Sequence, residues 1–348
     1  MKTSASPKIA VVGAGYWGPK IVRNVLAADP QAVAWVCDRQ TERLNEIKQR
    51  HPEVEVTTDY EQILADPDVD AVMLALPPVL HYEMAMRALR AGKHLFVEKP
   101  MALTLAQVQE IAETAKQAQR VLMIGLTYRY HRMIDRIAEA IREGRLGKLV
   151  KAYSRRTNFN RKEIPGSVVW MLAPHDVSIF RYWFGQSPQQ ASADLRCVKH
   201  GDVEDEALID LEFDGGAIGH IYFSWLDPVK TRRLVVVGSE RALVYDEMAD
   251  SATCGICRVD LQPSAWPSDF AELDDVLSGL PAPEETIRLD DCPEPLGDEC
   301  RHFLYCLKSG DEPKTGGREA MAVTAVIEQL LDNVRRSDQP VMSKETAT

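Results

Sequence analysis

Over the first 124 positions, short apolar runs alternate with stretches in which apolar residues recur every three or four positions. The runs are Lys8–Val12, Ala32–Cys37, Val54–Thr57, Ala71–Leu76, His94–Val97 and Val121–Ile124. Each is too short for a helix, and most are apolar throughout, the pattern of a parallel strand buried on both faces. Between them, Ile21, Val22, Val25 and Leu26 repeat at helical spacing, and Tyr60–Ala65, His81–Ala91 and Thr104–Gln119 read as helices, the second stopped by Gly92. The alternation of strand and helix predicts an α/β doubly wound parallel sheet.

From about Gly125 the pattern changes. Met133–Ile141 reads as a helix, and Val168–Phe184 as a longer one. Leu149–Thr157, Gln190–Val198, Ala207–Phe213, Ala217–Trp225, Leu234–Gly238 and Ala242–Tyr245 alternate as strands do. Few helices separate the later ones, so a large, open, mostly antiparallel sheet is expected. Pro263–Pro295 is rich in Pro and acid and reads as an irregular excursion; Gly297–Lys308 and Gly317–Arg336 read as closing helices; the residues from Ser337 read as a loose tail. Two domains are therefore expected, residues 1–124 and residues 125–348.

The first strand runs into Gly13-Ala14-Gly15-Tyr16-Trp17-Gly18, a full G-x-G-x-x-G that opens a helix. The glycines allow a tight turn, close approach of backbone to a pyrophosphate and close helix packing, and the helix start offers free N–H groups to phosphate. The second strand ends at Asp38, 23 residues after Gly15, near the ~20 expected of the acid that binds the adenosine ribose. Asp38 favours NAD over NADP, since a 2'-phosphate would be repelled; Arg39 beside it softens that preference. Strand-end loops line the crevice of such a sheet, which makes Gly13, Gly15, Tyr16, Trp17, Gly18, Asp38, Arg39, Thr58, Leu76, Pro77, Glu98 and Lys99 cofactor-side candidates. His81 is either a cofactor-side polar group or a helix-start residue.

Composition narrows the function classes. The 348 residues are 45% hydrophobic and 27% charged, as in a globular chain, and the net charge is −11, the wrong sign for a nucleic-acid binder. No apolar run reaches the ~20 residues of a membrane span, and no signal peptide is visible, so a cytoplasmic location is expected. Seven cysteines, an odd number, fit reduced thiols. Cys254 and Cys257 form a Cys-x-x-Cys pair, read as a turn between short strands. The scattered histidines show no metal-ligand spacing, and no metal is expected.

Ala75-Leu76-Pro77-Pro78 with His81, Glu98-Lys99-Pro100, Ala173-Pro174-His175-Asp176 and Phe303…Gly310…Pro313…Gly317 join the glycine motif in a wider pattern. With these stretches the chain resembles the Gfo/Idh/MocA oxidoreductases over nearly its whole length. The resemblance implies an N-terminal Rossmann domain and a C-terminal domain whose sheet joins subunits into a homodimer or homotetramer. It further implies NAD or NADP as cofactor, Lys99 and His175 as catalytic residues, and often a cis bond before Pro100. Residues 170–176 and 224–230 are most similar to a branch acting on nucleotide sugars. That similarity implies oxidation of the 3-hydroxyl of UDP-N-acetylglucosamine to a 3-keto sugar that feeds 3-amino-sugar synthesis for lipid A. A free sugar or cyclitol is the alternative substrate, an NAD-dependent glycosidase or lyase a second, and a non-catalytic NAD sensor a third. Many relatives carry Asp four residues before the histidine; here that position is Met171, which cannot move a proton.

Oxidising a secondary alcohol needs a base within about 2.6–3.2 Å of the hydroxyl. Lys99 at a strand end suits this if burial and a positive nicotinamide lower its pKa; its other reading is a salt bridge to Glu98. His175 is the second candidate, and which of the two is the base stays open. A nucleotide sugar would bring two more negative charges. Arg155, Arg156 and Asn158, or Lys230, Arg232 and Arg233, are candidates to meet them, against a reading as solvated or interface charge. Tyr128 and Trp170 are candidates to stack on a base, against core placement. Asp176, beside His175, completes the substrate-side set.

Overall fold

A computed structural model of the protein describes residues 6–159, 167–198, 203–259 and 282–336. The chain divides into two compact units, 1–131 with 293–325, and 132–292 with 326–348. A single cut at 124 misses the return of 293–325 to the first unit.

In the first unit the order is β1 (Ile9–Val12), α1 (Gly18–Ala28), β2 (Val33–Cys37), α2 (Thr41–Arg50), β3 (Glu55–Thr57) and α3 (Tyr60–Ala65). It continues through β4 (Ala71–Leu74), α4 (Pro78–Arg90), β5 (His94–Glu98), α5 (Leu105–Gln117), β6 (Leu122–Gly125) and a 3-10 turn, Thr127–Tyr130. The strands form one parallel sheet in the order β3-β2-β1-β4-β5-β6. The chain crosses from one side of β1 to the other between β3 and β4, the switch point where doubly wound sheets bind ligands at the carboxyl ends of the strands. β1 and β4 are buried at every position, which is why they read as unbroken apolar runs.

The returning segment carries α8 (Pro295–Ser309). Leu296, Cys300, Phe303 and Leu304 share a core with Ile21, Val22 and Val25 of α1 and with Phe96 of β5, and the rings of Phe96 and Phe303 lie 5.7 Å apart. Thr315 then ties the segment to the sheet: its Oγ1–H donates to Ile124 O at 2.8 Å, and its carbonyl accepts from Ile124 N at 2.8 Å. Burial of this apolar stripe, remote in sequence, decides the domain boundary.

The second unit holds α6 (Arg132–Arg142), β7 (Leu149–Thr157), α7 (Val168–Phe184), β8 (Gln190–Arg196), β9 (Glu206–Glu212), β10 (Ile218–Ser224), β11 (Thr231–Gly238), β12 (Arg241–Asp246), β13 (Thr253–Arg258) and β14 (Glu285–Arg288). Helix α9 (Gly317–Asp332) leads into β15 (Val334–Arg336). The described strands run β14-β13-β12-β11-β7-β10-β9-β8-β15 in one mixed sheet, antiparallel except for the β7–β10 and β8–β15 pairs. The closing helix expected to reach Arg336 thus stops at Asp332, and 334–336 pairs with Ala193–Leu195. Helix α7 lies on one face of the sheet: a Cβ on Gly219 would come within 2.7 Å of Phe180 Cδ2, so glycine there permits the close approach. Cys254 and Cys257 are both buried in β13, not in a turn, and residues three apart in a strand point to opposite faces. Of the irregular excursion expected over 263–295, residues 263–281 lie outside the described residues, as does the tail from Ser337, while Glu285–Arg288 is β14.

Candidate active site

The glycine loop follows from close packing. Gly13 has φ of +102°, and a Cβ there would come within 2.3 Å of the Ala75 carbonyl. A Cβ on Gly18 would come within 1.8 Å of the Gly13 carbonyl. Gly15 differs: a Cβ would meet only Arg43 Nη1, at 3.6 Å, so the loop has no internal need for glycine there. An open glycine beside a helix start is what a pyrophosphate requires. Asp38 Oδ2 accepts from Ala14 N at 2.7 Å and Oδ1 from Gln40 N at 2.9 Å, fixing the carboxylate beside the loop. The residues present therefore fit a dinucleotide. Arg43 approaches Asp38 at 3.6 Å, and Lys20 Nζ sits 3.5 Å over the Tyr16 ring and 4.8 Å over Trp17. Sequence reading missed both cations; Lys20 lies in the first turn of α1, directly after the loop that carries Tyr16 and Trp17. Arg39, Thr58 and Pro77 are exposed, and Leu76 is half-buried.

Two carboxyl-end loops, those after β4 and β5, meet through His81. Its ring sits in the first turn of α4, wholly buried, with Nδ1 2.7 Å from Pro100 O and Nε2 2.8 Å from Leu76 O. Burial pulls the imidazole below its usual range, and the two carbonyls work against that. Of the two readings for His81, the ring's burial and its two carbonyl partners make it a tie between loops and take it away from a cofactor surface. The Lys99–Pro100 bond is cis. Lys99 is half-buried at the end of β5, and its N–H donates to Glu98 Oε2 at 3.3 Å. Glu98 is 5% exposed, and burial raises its carboxyl to about 7, with Lys99 drawing it down. It too faces the interior. Sequence reading also missed Glu299 on α8, wholly buried, because only the fold brings it to this end of the sheet. Tyr128 is half-buried in the 3-10 turn.

In the second unit His175 and Asp176 lie on α7, both buried. Ser167 caps the helix through Val169 N at 3.2 Å, and Pro174 falls inside it, so the turn before His175 lacks one backbone bond. Asp176 takes a bidentate bond from Arg156 of β7, Nε to Oδ2 at 2.7 Å and Nη2 to Oδ1 at 2.8 Å. The two candidate substrate ligands thus hold each other and fasten α7 to the sheet next to His175. Arg155 and Arg156 do not form one cluster: as neighbours in a strand they point to opposite faces, and Arg155 pairs with Asp227 at 2.9 Å. Arg232 lies opposite Arg156 in register and pairs with Glu247 at 2.8 Å; Arg233 pairs with Asp246 at 2.8 Å. Lys230 is exposed before β11, while Asn158, Trp170 and Met171 are half-buried. Among the described residues no group of three or more His, Cys, Asp and Glu is placed to hold a metal, and no helix is long and apolar enough to cross a membrane.

Residues 7–126 match the model of the Gfo/Idh/MocA oxidoreductases with NAD-binding Rossmann fold, and residues 134–244 that of the Gfo/Idh/MocA C-terminal domain. The chain belongs to the Gfo/Idh/MocA family. The first unit is accordingly its NAD-binding domain, and the chain is an oxidoreductase of this type. Myo-inositol 2-dehydrogenase of Thermotoga maritima is 29% identical over 225 residues, 62% of this chain and 67% of that one. A 4-carboxy-2-hydroxymuconate-6-semialdehyde dehydrogenase of Sphingobium is 25% identical over 93% of this chain and 97% of its own. Among solved structures, the UDP-N-acetylglucosamine 3-dehydrogenase of Acidithiobacillus ferrooxidans superposes with a TM-score of 0.77 at 21% identity, over 94% of this chain and 97% of that one. At that identity the likeness is one of fold.

Proposed function

We propose that this protein oxidises a ring hydroxyl of a sugar or cyclitol with NAD, and that Lys99 and His175 are its acid–base residues. The observation that supports it most is the lysine at the carboxyl end of β5, in the sheet that carries the open glycine loop and the fixed Asp38. Gly15 and the start of α1 would hold the pyrophosphate, and Asp38 the adenosine ribose. Bound NAD supplies the hydride acceptor. Lys99 or His175 then takes the hydroxyl proton, and the other steadies the oxygen as it becomes a carbonyl. Met171 stands where many relatives have Asp, so these two residues carry the proton alone.

Two substrate classes divide this reading. A nucleotide sugar, UDP-N-acetylglucosamine oxidised at its 3-hydroxyl, requires cations for a diphosphate. Arg155, Arg156, Arg232 and Arg233 each hold a carboxylate, so a diphosphate would have to displace a protein anion or use Lys230. An uncharged cyclitol or free sugar needs no such displacement, and the myo-inositol dehydrogenase relative supports it. NADH formation, followed at 340 nm with UDP-N-acetylglucosamine, myo-inositol, scyllo-inositol and glucose in parallel, separates the two. Lys99→Met is expected to lower turnover by roughly 10²–10⁴-fold with NAD binding retained. Unchanged turnover in that variant, or no NADH from any polyol, would refute the catalytic reading.

A further inference from the structure

Glu98 and Glu299 are an unusual pair of side chains. Both are almost wholly buried in the first unit, and among the described residues each is held by a single donor. Glu98 Oε2 accepts from Lys99 N at 3.3 Å; Glu299 Oε2 accepts from Thr127 Oγ1–H at 2.8 Å. Their other oxygens, Glu98 Oε1 and Glu299 Oε1, are buried without a protein partner. The wall around Glu98 is tight: a Cβ on Gly125 would lie 3.2 Å from Glu98 Cδ and Oε2 and 3.0 Å from Phe96 Cζ. Gly125 lies opposite Glu98 in the β5–β6 register and Thr127, two residues on, donates to Glu299, so both carboxyls stand at one end of the sheet, and burial with repulsion from Glu98 drives Glu299 well above the usual carboxylate range.

A buried carboxylate needs several donors or a counter-ion. One hydrogen bond each does not support two charges. The charged and titratable groups that act on the pair are Lys99 at the end of β5, Tyr130 in the 3-10 turn and Cys300 on α8, with Arg129 acting on Tyr130. Tyr130 is pushed up by burial and by Glu299, Cys300 by burial and by both carboxyls, and both stay neutral. Lys99 acts directly on Glu98.

We propose that Glu98 and Glu299 form a buried acid pair that carries one negative charge, not two, behind Lys99, with Glu299 a positioning residue that keeps the proton and leaves Glu98 as the partner of the lysine. The proposal rests on Lys99 as the base. A charged Glu98 favours the ammonium that forms when Lys99 takes the hydroxyl proton, and a neutral Glu98 favours the free amine that must be present beforehand.

The test uses the full chain labelled with ¹³C at glutamate carboxyls, read by NMR against pH in the absence of substrate. Wild type is expected to show two carboxyls still neutral above the ordinary glutamate range, one ionising at about 7 and one neutral well above that. Glu299→Gln should remove the second and keep the first; Glu98→Gln should do the reverse. Lys99→Met should raise the remaining Glu98 midpoint by roughly one pH unit. In turnover, Glu98→Gln should move the acid limb of kcat/KM to lower pH by roughly one unit, and Glu299→Gln, which mimics the neutral acid, should leave it in place. Both carboxyls ionised at neutral pH, or a Glu98 midpoint indifferent to Lys99→Met, overturns the pair whether or not polyols are oxidised. Intact resonances with no turnover would fault the catalytic reading instead. Should Glu299→Gln fail to fold, Glu98→Gln and Lys99→Met still decide the outcome.

Discussion

The two units bury charge differently. In the second, Arg156 and Asp176 meet in a bidentate pair, 7% and 0% exposed, and each charge has its opposite. In the first, Glu98 and Glu299 are equally buried, yet among the described residues each has one donor and an unpartnered oxygen. The paired arrangement fixes a helix to a sheet. The unpaired one costs stability and responds to pH, and it lies next to the residue proposed as the base. Buried carboxyls whose ionisation is displaced by burial and a charged neighbour cluster at functional sites.

Breaking the paired charge should have the larger effect. Asp176→Asn takes the carboxylate out of the buried, bidentate pair with Arg156, and the loss of one partner of a buried pair costs about 3–5 kcal/mol. The cost falls on the second unit, so chemical denaturation followed by a probe there should show the loss while NAD binding to the first unit persists. A loss below ~1 kcal/mol would mean the pair behaves as an exposed one and does not fasten α7.

The contrast was only half legible in the sequence. Parallel strands buried on both faces announce themselves as apolar runs, and Gly13, Gly15, Gly18 and Asp38 stand at spacings fixed by the local turn, so the first unit could be read almost element by element. Lys99 was legible for the same reason, as a charge at a strand end. Glu299 was not, because it reaches the sheet only when the stripe of α8 packs on α1, a contact between residues about 270 positions apart. Nor were the partners of Arg155, Arg156, Arg232 and Arg233. A sequence shows where cations are but not which carboxylates neutralise them, and so charge counted along the chain overstated what is available to a diphosphate. β15 was hidden similarly, since Val334–Arg336 continues a helical pattern and becomes a strand only by pairing with β8.

The unpaired charge should show itself through pH. In the folded chain Glu98 ionises near about 7, against an ordinary 4.5. Between these values the folded state keeps a proton that the unfolded state has released, so stability falls as pH rises from 4.5 to about 7 and levels off above. The span corresponds to about 3 kcal/mol. Glu98→Gln carries no such proton, and its denaturation midpoint should be flat over that window apart from slopes due to other groups. A slope unchanged by the substitution would assign the pH dependence elsewhere.

The smallest effect is expected where the charges are paired but wet. Arg233 and Asp246 form a good geometric pair, with Nη2 2.8 Å and Nε 3.1 Å from one oxygen, but their side chains are 33% and 23% exposed. Water screens such a pair, and holding two long side chains still offsets part of the attraction, so Arg233→Ala should cost only about 0.2–1 kcal/mol. The loss should shrink in high salt, since exposed charges are screened over about 10 Å at 0.1 M, whereas the loss from Asp176→Asn should not. Measuring both variants at low and high salt therefore separates pairing from burial: if the two respond alike, exposure is not what distinguishes the ion pairs of this sheet.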